Sequence, residues 1–238
     1  MALEIGNLIK PAQDALAPVG GTLSDIWQGV VGDRVAAWRL KNAVKIQCEI
    51  HRELEEAGLA LNASKIPERY AFAWFEEATQ QDEPEIQALF ARLLVRAANG
   101  DEHAKDRRHI TLLSQLTPAD AQVFAAMFDP KTRQGLARGM RHTPPVWDEG
   151  SITRKMEREV GEHARASIEH LVNIGIVSRA FRLELGGMRS VRRYLNLDDV
   201  GNIAKAAAED LKIERELCAT VLGMSLYSAV REVKSDLS

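Results

Sequence analysis

The chain has 238 residues, 45% of them hydrophobic and 27% charged, with a net charge of −3. That length holds one large domain or two small ones, and the near-balanced charge excludes a molecule that binds nucleic acid electrostatically over its whole surface. Two cysteines, Cys48 and Cys218, are too few for a disulfide framework and fit a reducing compartment.

The opening "MALEIGNLIKPAQDAL" has no basic region ahead of an apolar core, so no secretory signal is expected. No run reaches the roughly 18 apolar residues that a membrane span needs. Residues 3–17 alternate at helical spacing, and "APVGG" breaks the pattern. A long helix over 22–57 follows, with Leu23, Trp27, Val30, Val31, Val35, Trp38, Val44 and Cys48 as its apolar stripe. It would span roughly 50 Å, with Gly58 closing it and Leu59 folding back. Pro67 suits the first turn of a helix carrying Tyr70, Trp74, Phe75 and Ala78 inward. Asp82 suits a cap for the next, with Pro84 and Glu85 just inside and Ile86, Leu89, Phe90, Leu93 and Leu94 buried. That helix stops at Asn99-Gly100.

Thr117-Pro118 opens a further helix, with Asp120 at its third position and Val123, Phe124 and Met127 inward. Residues 129–151 are rich in Pro and Gly and read as a loop with at most one short helix. A helix over about 152–174 ends at Gly175. Phe181, Leu183 and Leu185 then alternate with Arg182 and Glu184, a strand signal. Gly186-Gly187 turns the chain, and Val191, Leu195 and Leu197 lie on the return strand. Asp198 suits a cap for a helix over 199–211, and a last helix is expected over 213–233. The sum is a mainly α chain with one small antiparallel β-hairpin. Its regions are an N-terminal helical region (1–116), a winged-helix-like region (117–212) and a C-terminal helix (213–238) suited to packing or oligomer contact.

Between Lys131 and Arg193 there are 13 lysines and arginines against 7 carboxylates, a surplus of six, so the rest of the chain carries −9. Arg182, Arg189, Arg192 and Arg193 cluster on the expected hairpin and are the candidate contacts for an anion or nucleic acid. The helix ahead of them mixes Arg158, His163, Arg165 and His170 with Glu159, Glu162 and Glu169. Phosphate contacts need a cationic face, so a docking or structural role is favoured over nucleic-acid reading. "DEHAKDRRH" (101–109) gathers Asp101, Glu102, His103, Asp106 and His109 without a recognised ligand spacing, and reads as a polar loop rather than a catalytic or metal site. Cys48 and His51 have no second ligand pair, and the glycines at 20, 21, 29 and 32 lack the Lys-Ser/Thr of a phosphate loop. No catalytic residue, metal or cofactor is expected. Gly29, Gly32 and Ala36 suit close helix packing or a homo-oligomer, with a membrane-active N-terminal helical hairpin as a further reading.

Three blocks together resemble the Abi-alpha (abortive infection) family of bacterial proteins. "GDRVAAWRLKNAVKI" carries Gly32, Asp33, Arg34, Trp38, Arg39, Lys41 and Asn42; "EPEIQALFARLLVRAAN" carries Glu85, Gln87, Leu89, Ala91, Leu93 and Leu94; "ITLLSQLTPADAQVF" carries Leu112, Leu116, Thr117, Pro118, Asp120 and Ala121. The resemblance covers about residues 20–128. Phe90 stands where members often have Trp, and Asp106-Arg107 where they often have His-Pro. The resemblance implies a cytoplasmic bacterial protein of phage defence and brings no catalytic residues with it. Phe90, Leu93 and Leu116 are then expected in the core, and Thr117 and Asp120 as helix caps.

The expected function is a non-enzymatic effector, sensor or scaffold of phage defence acting through protein contacts. A homo-oligomer is expected, through the long helix or through a C-terminal stripe of Ile213, Leu217, Val221 and Leu222. The competing function is a winged-helix nucleic-acid-binding regulator.

Overall fold

A computed structural model of the chain describes residues 34–132, 137–138, 144–185, 191–193 and 211–231. The fold is mainly helical with one antiparallel sheet. It divides into two compact units, one ending at Pro118 and taking in the tail from Ser228, the other running from Ala119 to Tyr227. The expected helix over 3–17, residues 199–210 of the helix expected to end at 211, residues 22–33 of the long helix, the Gly186-Gly187 turn and Leu195 and Leu197 lie outside the described residues.

The first unit is built on α1 (Arg34–Ala57), α2 (Glu68–Ala78), α3 (Pro84–Ala98) and α4 (Arg107–Ser114). Gly58 closes α1 with φ 64°, and the Leu59 amide donates back to the Leu54 carbonyl at 2.9 Å, as the sequence predicts. Pro67 is the N-cap of α2 rather than a residue of its first turn. The N-cap of α3 is Glu83, not Asp82, and Pro84 occupies the first turn. The core gathers Tyr70, Phe75, Ile86, Phe90, Leu93 and Leu113 at 2% exposure or less. Trp74 Nε1 donates to the Phe90 carbonyl at 2.9 Å, and the two rings meet edge-on.

The orientation of α1 departs from its hydrophobic pattern. Trp38, Val44 and Cys48 face outward, while Asn42, Ala43, Ile46, Gln47, Glu53 and Leu54 are buried. Polar partners explain the inversion. Asn42 donates to the Thr79 carbonyl, and Arg39 donates to Thr79 Oγ1 and to the Glu76 carbonyl, satisfying the C-terminal end of α2. Arg39 also pairs with the Glu76 carboxylate, and Glu53 accepts from Arg92 Nε at 2.8 Å. A buried polar group is tolerated where such bonds replace water.

The second unit contains α5 (Pro118–Phe128), β1 (Ala137–Arg138), β2 (Val146–Asp148), α6 (Glu149–Val160), α7 (Ala164–Asn173), β3 (Val177–Leu185), β4 (Val191–Arg193), β5 (Leu211–Ala219) and α8 (Val221–Val230), which passes at Ser228 into the first. The sheet order is β1-β2-β5-β3-β4, antiparallel throughout. Three expectations are corrected. The helix over 152–174 is two helices, broken where Gly161 takes φ 100°. The segment 129–151 contributes two strands and the start of α6. The expected C-terminal helix over 213–233 is a strand as far as Ala219, with the helix beginning only at Val221. Nine residues of β5 pair with β3, from Val177 opposite Ala219 to Leu185 opposite Leu211. This long-range ladder outweighs the helical spacing of Ile213, Leu217 and Val221. Phe124, Phe128, Trp147 and Tyr227 form an aromatic cluster beside the sheet, with centroids 4.9–6.0 Å apart.

Thr220 starts α8: its Oγ1 accepts from the Gly223 amide and donates to the Gly175 carbonyl at 2.7 Å. A β-carbon at Gly223 would run into the Ile176 carbonyl oxygen, which is backbone and has no room to yield. Gly223→Ala should therefore lower stability by at least about 2 kcal/mol, read as a lower urea midpoint. A midpoint equal to that of the parent would show that α8 does not pack this closely.

Candidate functional site

The helices and the central strand of the second unit enclose a groove of about 510 Å³, between the start of α6, the outer side of α7 and residues 213–215 of β5. Its position follows from local rules. Asp148 ends β2 and caps α6, with its Oδ1 accepting from the Ser151 amide at 2.8 Å. This places Glu149 in the first turn of α6, facing Arg179 on β3. Arg179 Nε donates to Glu149 Oε1 at 3.0 Å, and its Nη2 pairs with Glu169 of α7. Glu169, then Glu149, hold the guanidinium charged still more firmly than an ordinary arginine. One arginine thus ties the sheet to both helices.

The rest of the lining is mixed in sign. Arg154, Arg165 and Arg215 stand with Asp148, Glu149, Glu169 and Glu214. Arg165 lies 3.4 Å from Glu157 on α6. A polyanion would meet carboxylates along such a surface, whereas a protein surface carrying both charges can match it.

The four arginines expected to contact an anion are only partly located. Arg182 is half-buried on β3, opposite Arg192 of β4 in the register, while Arg193 is opposite Phe181. Three of the four thus come to one stretch of ribbon, and Arg189 lies outside the described residues. The apolar residues expected to form one helical stripe are separated. Ile213 is half-buried on β5, Leu217 is fully buried in the sheet, Val221 is 82% exposed at the start of α8, and Leu222 beside it is half-buried.

The polar stretch 101–109 is structural in its details. Asp106 caps α4 through the Arg108 amide, and its carboxylate accepts from the Arg108 guanidinium. Asp101 accepts from the His103 amide, and Glu102 pairs with Lys105. Among the described residues, no three His, Cys, Asp or Glu side chains are placed to hold a metal ion. Two features escaped sequence reasoning. One is the Arg179 node. The other is the contact of buried Asp120 with His170, 2.7 Å between Oδ2 and Nδ1, where only a helix cap was expected. Neither has a local signal, because the partners lie 10 to 50 residues apart. Among the described residues, no helix is long and apolar enough to cross a membrane.

Two outcomes follow from these charges. Arg179→Met leaves Glu149 and Glu169 without their cation and should cost about 1–3 kcal/mol in a urea titration. An unchanged midpoint would show that the node is not structural. The second outcome concerns pH. Burial holds the fully buried His109 imidazole below the ordinary value of 6.5, against the opposing charge of Asp106. The unfolded chain therefore takes up a proton below pH 6.5 before the folded one does. Stability should be greatest above pH 6.5 and fall as the pH drops beneath it. Arg108 holds the Asp106 carboxyl below 3.8, so its contribution is lost only in stronger acid. His109→Leu should flatten the change in urea midpoint between pH 7.5 and 5, and a slope equal to the parent's would assign it to other groups.

The abortive infection alpha family profile matches residues 42–230. The match takes in residues of both compact units and extends far beyond the expected limit at residue 128, so the hairpin region lies inside it rather than downstream of it. Phe90, Leu93 and Leu116 are buried, as the resemblance implied. No curated protein and no solved structure matches the chain. With most of its length inside the match, the chain belongs to the abortive infection alpha family.

Proposed function

We propose that the protein is a non-enzymatic effector of phage defence that works through protein contacts, self-association among them. Family membership supports the defence context. The observation that carries the contact mode is the mixed-charge groove between α6, α7 and β5, braced by Arg179. In this reading the second unit is a winged helix. Helix α5, strand β2, helices α6 and α7 and strands β3 and β5 follow in that order, with β5 between β2 and β3. The helix that would enter a major groove is α7, and its Glu169 stands beside Arg165 at the groove.

A second reading, a nucleic-acid-binding regulator, draws on the Arg182–Arg192 register and the local surplus of six positive charges. The two separate in one set of measurements. Expression in a bacterial host under phage challenge should reduce plaque formation, and Arg154→Glu with Arg215→Glu should abolish the protection while the purified chain stays folded. Protection unaffected by these substitutions removes the groove from the function. Duplex DNA at low salt should not be retarded. Retardation that weakens with salt and is lost when Arg182, Arg192 and Arg193 become Ala would establish the regulator instead.

A further inference from the structure

The outward face of α1 combines exposed apolar side chains with an unusual charge order. Trp38 is 41% exposed, and Leu59, in the turn that caps the helix, is 38% exposed. Between them Lys41, Lys45, Cys48, Arg52 and Glu55 are exposed. Arg52 is compensated on its own helix, by Glu49 at 2.5 Å and Glu53 at 3.7 Å. That leaves the cations Lys41 and Lys45 in the earlier half of the face and the anion Glu55 in the last turn. A carboxylate there opposes the helix macrodipole, and the last turn holds no basic residue to offset it.

Lys41, Cys48 and Glu55 recur every seven residues and so share one stripe of the helix. A stripe positive at one end, negative at the other and centred on Cys48 is complementary to its own reversed copy. We propose that α1 pairs antiparallel with α1 of a second copy, about a two-fold axis passing at Cys48. In this register Lys41 faces Glu55 of the second copy, Cys48 faces its own counterpart, and Trp38 lies over Leu59 of the second copy. The symmetry makes each contact twice, and it covers apolar surface at both ends. The second copy is the occupant because it supplies the anion that each lysine faces and the cation that Glu55 does not meet among the described residues. The pairing rests on the protein-contact function proposed above and names one of its contacts.

The full chain should run in light scattering at twice the 26.4 kDa of one copy. Oxidation by copper(II)-phenanthroline should join the Cys48 thiols, each losing its proton to solvent and one electron to copper(II) as the disulfide forms. The covalent dimer should vanish in Cys48→Ser and persist in Cys218→Ser, since Cys218 is buried. Lys41→Glu should weaken dimerisation roughly tenfold by setting like charges opposite one another, and Lys41→Glu combined with Glu55→Lys should restore it. A folded chain of single mass, or a dimer indifferent to both charge variants, overturns the pairing. So does a monomer whose Cys48 resists a maleimide, which would mean that the chain's own residues 1–33 cover the face. A monomer that still protects against phage counts against the pairing alone, and a Cys48-linked dimer that gives no protection counts against the function alone.

Discussion

Pairing of β5 between β2 and β3 is the contact on which the second unit depends. Trp147 of β2 stands opposite Leu217, and Leu217 stands opposite Arg179 of β3. That register sets where Arg179 leaves the sheet, and so which carboxylates of α6 and α7 it can reach. It also carries the chain to Thr220, which closes on Gly175 and Ile176 and starts α8 against them. Without the strand there is no floor for the groove and no seat for the last helix. Both faces of the ladder carry buried side chains, Val177, Phe181, Leu217 and Ala219 on one and Ala180 and Cys218 with Val146 on the other, as a central strand requires.

The first unit rests on a different constraint. Its longest helix buries Asn42, Gln47 and Glu53 beside Ala43, Ile46 and Leu54, and leaves Trp38 and Val44 exposed. Asn42 and Arg39 reach the open carbonyls at the end of α2, and Glu53 reaches Arg92 of α3. Helix ends leave backbone acceptors unsatisfied, and a neighbouring helix that supplies donors is held in one rotation. Arg39 and Asn42 belong to the first block that resembles the family, so part of that block encodes a clamp between helices. The same rotation turns Trp38 and Cys48 outward and creates the face available to a second copy.

These two constraints bear on function in the same direction. The groove is lined by both signs of charge, and two of its carboxylates, Glu149 and Glu169, are paired with Arg179 of β3. The outward face of α1 is charged in a way that answers its own reverse. Both surfaces match other protein surfaces more readily than a uniform polyanion.

The sequence by itself determined the family, the mainly helical class, the closing turns at Gly58 and Asn99-Gly100, and the core positions Phe90, Leu93 and Leu116. The family and the place of Leu116 rest on the three resembling blocks, and the others on short-range signals: a glycine able to take positive φ, a proline in a first turn, apolar residues every three or four positions. Only the tertiary structure decided that residues 211–219 are a strand, that Gly161 breaks a helix, and that the stripe of α1 faces outward. It also decided the partners of Arg179 and Asp120. In each case the deciding contact is distant in the chain, and a spacing pattern read along one segment carries no information about which distant group will satisfy it.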